Sequence, residues 1–100
     1  MTDLTSFWIM KVPVVSTAHI TLETDKWMLE MSEDEHDHHM IHHICGGWMI
    51  YVGEEADNID ETFPDELKKL MAWCQEYHFT WLRLDQDGDL IEDKFPTYNW

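Results

Sequence analysis

Five histidines, His36, His38, His39, His42 and His43, fall within eight residues beside Glu33, Asp34, Glu35 and Asp37. Imidazole and carboxylate are both good ligands for zinc and nickel. On a helix, His38 with His42 and His39 with His43 would be i, i+4 pairs able to chelate one ion. On a strand, His39, Ile41, His43 and Cys45 would share one face and His42 the other, which weakens the site. The zinc-protease form of such a pair needs a Glu directly after the first His, and Met40 and Ile41 occupy the interior of either pair instead. The segment therefore supports two readings, a metal-binding or metal-sensing module and a polar loop or strand edge. No cofactor is assigned from it.

Asp85, Asp87, Gly88, Asp89 and Glu92 invite a calcium-loop reading that their spacing refuses. With Asp85 as the first loop position, Leu90 stands where the sharp-turn Gly belongs and Pro96 where the bidentate Glu belongs. An Asp-Gly turn explains the same residues. Cys45 and Cys74 match no CxxC or zinc-knuckle spacing and are expected to be buried free thiols rather than a disulfide. There is no GxSxG elbow, phosphate-binding Gly loop or dinucleotide fingerprint. Carboxylate pairs are too abundant for any one to be singled out, so an enzyme is not expected. His19, near a strand end, fits a buried hydrogen-bonded role.

Charge carries a stronger message. Twenty-one Asp and Glu face six Lys and Arg in 100 residues, a formal net charge of −15, while 44% of residues are hydrophobic. A chain with that apolar content folds, whereas an equally acidic, apolar-poor one would not. Seventeen of the acids lie in three segments, residues 30–37, 54–66 and 85–93. Such a field attracts cationic partners and repels nucleic acid and anionic membrane, so direct DNA or RNA binding is not expected. Carboxylates displayed where a nucleic acid displays phosphates can instead occupy the basic groove of a nucleic-acid-binding protein. The alternative is that the acidic runs are solvated loops that keep a small domain soluble. The residues expected to meet partner Arg and Lys are Glu33, Asp34, Glu35, Asp37, Asp57, Asp60 and Glu61, with Tyr98 and Trp100 as an apolar anchor or as packed C-terminal residues. Protonating all seven His would add seven charges to −15 and leave −8, so charge-driven binding should weaken as pH falls through about 6.

One hundred residues suit one domain, 1–100, with room for one core. No apolar stretch approaches the roughly 20 residues that span a bilayer, and no positive segment precedes an apolar one at the N-terminus, so a cytoplasmic location is expected. Residues 7–16 suit a strand in which Pro13 dictates an edge or a bulge. Thr21 can cap a helix starting at Leu22, with Leu22, Trp27, Met28, Leu29 and Met31 as an imperfect apolar face. Residues 40–45 and 48–52 flank Gly46-Gly47 as a hairpin, with one bulged strand as the competing form. Thr62 and Pro64 open a second helix, marked by Leu67, Leu70, Met71 and Cys74 at i, i+3, i+4 and i+7 and widened by Trp73 and Tyr77. Residues 80–84 read as a strand, Asp87-Gly88 as a turn and residues 90–92 as a short returning strand. The order predicts an α+β two-layer sandwich: a mostly antiparallel sheet with both helices on one face.

Ser16-Thr-Ala-His-Ile-Thr21, Gly47-Trp-Met-Ile-Tyr-Val52, Trp81-Leu-Arg-Leu-Asp-Gln-Asp-Gly88 and Phe95-Pro-Thr-Tyr-Asn-Trp100 occur in this order. The set resembles a small, functionally uncharacterised bacterial domain family carried on plasmids, phages and integrated elements, and covers about the whole chain. Phe95 stands where that family usually has Leu, and the histidines of residues 36–43 are not part of its pattern. The resemblance implies a mobile-element protein of one α+β domain and supplies no catalytic residues. Small acidic proteins of mobile elements often obstruct host defence, by binding a CRISPR surveillance complex or imitating DNA before a restriction enzyme. By that class analogy the expected function is stoichiometric inhibition of a nucleic-acid-binding defence complex. A metal module is the alternative, and self-association as a homodimer through an unpaired edge strand is a third expectation.

Overall fold

A computed structural model of the chain describes residues 10–33 and 40–100, with only the backbone of Asp57. Four strands, β1 (Val14–Ser16), β2 (Ile41–Ile44), β3 (Gly47–Tyr51) and β4 (Trp81–Asp85), and two helices, α1 (Leu22–Glu33) and α2 (Asp65–Glu76), form the frame. The sheet order is β1-β4-β3-β2. The β2–β3 and β3–β4 pairs are antiparallel and β1–β4 is parallel, so the sheet is mixed within the expected α+β class.

Alternation of side chains along the strands decides which sheet face is covered. Val15, Leu84, Trp48, Leu82, Ile50 and Ile41 lie on one face and are buried with Met28 of α1 and Leu67, Leu70, Met71 and Cys74 of α2. All four stripe positions expected of α2 are thus in the core, and burying side chains of this size stabilises the fold by roughly 1.5–3 kcal/mol each. Trp73 packs against the core, while Tyr77, the helix C-cap, is 50% exposed. The α1 stripe is narrower than expected: Thr24 and Met28 are buried and Trp27 and Met31 partly so, but Leu22 and Leu29 face solvent. Thr21 caps this helix, with Oγ1 accepting from the Thr24 N–H at 3.2 Å.

Pro13 directly precedes the edge strand β1, as its missing N–H requires, and its carbonyl accepts from the Arg83 N–H at 3.0 Å. The expected strand at residues 7–16 is therefore Val14–Ser16 in its described part, and residues 7–9 lie outside the described residues. The hairpin forms, but its turn residues are Cys45 and Gly46, and Gly47 already pairs with Ile44. Gly46 supplies the left-handed conformation, φ +81°, that the turn needs. The placement leaves Cys45 exposed, contrary to the buried thiol expected, whereas Cys74 is buried; both are free.

The returning strand at residues 90–92 does not form. Asp85 Oδ1 accepts from the Asp87 N–H at 2.8 Å, the Gly88 N–H closes the turn on the Asp85 carbonyl at 2.9 Å, and the chain then runs beside β1 instead of β4. Val15 and Asp89 make a parallel bridge in which the Ser16 N–H donates to the Asp89 carbonyl at 2.9 Å. Gly88 permits that approach, since a Cβ there would lie 2.5 Å from the Val15 carbonyl carbon.

Candidate partner-binding surface

The segment between β3 and α2 is a hydrogen-bonded loop carrying part of the expected acidic surface. The Glu55 N–H donates to Asn58 Oδ1 at 3.0 Å, and the Asn58 and Ile59 N–H groups return to the Glu55 and Ala56 carbonyls at 2.9 and 3.0 Å. Gln75 of α2 donates from Nε2 to the Glu55 carbonyl at 2.6 Å. Ile59 packs against the core from inside the loop. Asp57 lies in the 3-10 turn Ala56–Asn58, and Glu61 is exposed. Asp60 has a local duty: its Oδ1 accepts from the Thr62 N–H and from Thr62 Oγ1, both at 2.9 Å, fixing the entry to α2. Asp60 is thus a turn residue as well as a charge.

Glu33 ends α1 and is exposed. Trp27 of α1 meets Phe63, directly after the acidic loop, with ring centroids 5.3 Å apart. Six residues of helix separate Trp27 from Glu33, about 9 Å along the axis. The α1 helix thus touches the residue that follows the acidic loop, and Glu33 lies further along the same helix. Asp34, Glu35 and Asp37 lie outside the described residues, as do His36, His38 and His39.

His42 and His43 stand on β2, not on a helix, so the i, i+4 geometry does not apply to them. They point to opposite faces, with His43 stacked near Trp48 at 4.5 Å between ring centroids and His42 near Trp81 at 6.3 Å. Among the described residues no group of three His, Cys, Asp or Glu side chains could hold a metal ion.

Two junctions that the charge pattern did not reveal hold the layer together. Glu66 Oε1 accepts from the Thr21 N–H at 3.2 Å, from Thr21 Oγ1 at 2.8 Å and from Thr24 Oγ1, joining the first turns of α2 and α1. Burial works against the Glu66 carboxylate, but these bonds, led by the one from Thr24, outweigh it and hold the carboxyl below its ordinary value of 4.5. His19 is buried, with Nε2 accepting from the Ile91 N–H at 2.8 Å and Nδ1 3.0 Å from the Pro96 carbonyl. Those contacts fix a neutral ring with its proton on Nδ1. The Tyr98 N–H donates to the Ala18 carbonyl at 2.7 Å and Trp100 Nε1 to the Ile20 carbonyl at 2.9 Å. The Ser-Thr-Ala-His segment is thus a clamp for the C-terminal one. Trp100 remains 52% exposed, so it is neither a free anchor nor a core residue.

The basic residues cannot neutralise this body: with six Lys and Arg against 21 acids, at least 15 carboxylates stay uncompensated even if every cation pairs. Arg83 is committed to the sheet end, donating to the Cys45 carbonyl and to Asp85 Oδ2, each at 2.8 Å. The Asp87 N–H first, and then Arg83, hold the Asp85 carboxyl below its usual range. Lys68 meets exposed Asp65 at 3.3 Å, a contact that solvent leaves weak.

Fold and surface together define an acidic α+β domain with a mixed four-stranded sheet under two helices. The chain belongs to a family of unknown function, DUF5983, whose C-terminal-domain model matches residues 12–100. No curated protein and no solved structure matches it.

Proposed function

We propose that this domain is a stoichiometric binding module whose exposed carboxylates occupy the basic groove of a nucleic-acid-binding protein, and that the groove belongs to a bacterial defence complex, a CRISPR surveillance complex or a restriction enzyme. The carrying observation is a net charge of −15 on a chain with a well-packed core, part of it on a loop already fixed by hydrogen bonds. A pre-organised loop loses little conformational freedom on association, so more of the electrostatic attraction remains as affinity. The reading places the protein inside the cell, on a plasmid, phage or integrated element, and assigns it binding rather than catalysis. Burial pushes the Cys74 thiol up to about 12, which removes that one residue as a candidate nucleophile.

The test is biological and quantitative. A bacterial host with an active CRISPR or restriction system is challenged with a targeted plasmid in the presence of the protein. Rescue of transformation by wild type, lost when Glu33, Asp34, Glu35 and Asp37 are changed to Lys, is the expected result. No rescue across representative systems of both kinds, or equal rescue by the charge-reversed variant, would overturn the reading.

A further inference from the structure

We infer that the cleft at the C-terminal end of α2, lined by Gly53, Glu54, Gln75, His78 and Thr80, is a guanidinium site that accepts an arginine side chain. The cleft measures about 290 Å³, room for a side-chain head group. Its lining offers three acceptor groups beside the His78 imidazole. Glu54 brings a carboxylate, and Thr80 a hydroxyl. The Gln75 amide has its Nε2 engaged by the Glu55 carbonyl at 2.6 Å and the Val52 carbonyl at 3.4 Å, so the polar atom it has left to offer is the acceptor Oε1. The helix end itself adds little, because the Trp73, Cys74 and Gln75 carbonyls already accept from the Tyr77, Phe79 and His78 N–H groups.

The walls are built rather than incidental. Gly53 and His78 both sit in the left-handed region, φ +79° and +63°, and His78 is not the glycine that conformation favours at a helix end. The Val52 and Gly53 N–H groups both donate to the Thr80 carbonyl, at 2.8 and 3.2 Å, pinning the two sides together. On a strongly acidic protein, a cleft that offers the Glu54 carboxylate, the Thr80 hydroxyl and the Gln75 amide oxygen favours a cation made wholly of donors. Guanidinium, planar with five N–H groups and no acceptor, meets that description better than the compact, strongly hydrated ammonium of lysine.

This site deepens the proposed function, and rests on it only for the owner of the arginine. The chemistry is tested without a protein partner, by following backbone amide resonances of the whole chain during titration with N-acetyl-arginine methylamide, its lysine counterpart and its uncharged citrulline counterpart. Saturable shifts centred on Gly53, Glu54, Gln75, His78 and Thr80 are expected with the arginine compound. They should be weaker with lysine and absent with citrulline, and Glu54→Gln should raise the apparent Kd about tenfold, the loss of one charge-assisted hydrogen bond. Shifts scattered over all the acidic segments, equal responses to arginine and lysine, or an unchanged Kd in Glu54→Gln with an unaltered melting temperature would overturn it. The Glu33, Asp34, Glu35 and Asp37 charge reversal leaves Glu54 in place. Arginine binding by a wild type that gives no rescue refutes the function alone, and rescue by a wild type that does not bind arginine refutes the cleft alone.

Discussion

Replacing His19 by Ala removes a buried ring and strips the Ile91 N–H of its acceptor and the Pro96 carbonyl of its partner in a partly buried place. The expected loss is about 2 kcal/mol, the usual range for an unsatisfied buried group, read as a lower urea midpoint. A loss below about 0.5 kcal/mol, the size of an ordinary surface substitution, would show that the clamp contributes nothing. The thiols give a second residue-scale expectation: a disulfide-exchange reagent should modify exposed Cys45 in the native protein and Cys74, buried with its pKa pushed up to about 12, only after unfolding. Two equivalents reacting at the native rate would contradict the packing around Cys74. Glu66 sets part of the acid response. Its folded pKa is lowered, so its contribution is complete above the unfolded value near 4.5 and is lost as pH falls through the lower folded value. Glu66→Gln should therefore flatten the decline in stability below about pH 4.5, measured as thermal midpoint against pH; an unchanged slope would remove Glu66 from that role.

At the scale of elements, the close passage of the turn after β4 past β1 makes Gly88 sensitive. A Cβ there would meet the Val15 backbone at 2.5 Å, so Gly88→Ala should cost about 1–3 kcal/mol by forcing backbone apart, again by urea denaturation. The same passage explains why one predicted strand failed. Alternation and an Asp-Gly turn announce a hairpin locally, but the Ser16 N–H, as donor, and His19 Nε2, as acceptor, take up the chain after the turn, and such long-range partners leave no mark in local periodicity. Where the signal was strong, as in the i, i+3, i+4, i+7 stripe of α2, every position is in the core. On α1 the apolar residues are not all on one side, and tertiary packing chose Thr24 and Met28 over Leu22 and Leu29. The hairpin was legible to within one residue, because Gly-Gly marks a turn without saying which glycine carries the positive φ. Of the expected partner-binding acids, the loop positions were legible as charge. The structural duty of Asp60 was not, since a turn acceptor and a free carboxylate have the same one-letter code.

For the whole molecule the decisive quantity is the uncompensated charge. It predicts association that weakens steeply as salt rises, because the Debye length falls from roughly 30 Å at 0.01 M to 10 Å at 0.1 M and 3 Å at 1 M, while a mainly apolar interface would hold. The most direct test is capture from a bacterial lysate rich in CRISPR and restriction proteins, with wild type beside the variant carrying Lys at positions 33, 34, 35 and 37, each first shown to have the same circular dichroism. Charge-driven capture requires that wild type retains a nucleic-acid-binding defence complex, that salt releases it, and that the variant retains none. Retention by both proteins, or a wild type that holds no such complex at low salt, would contradict it.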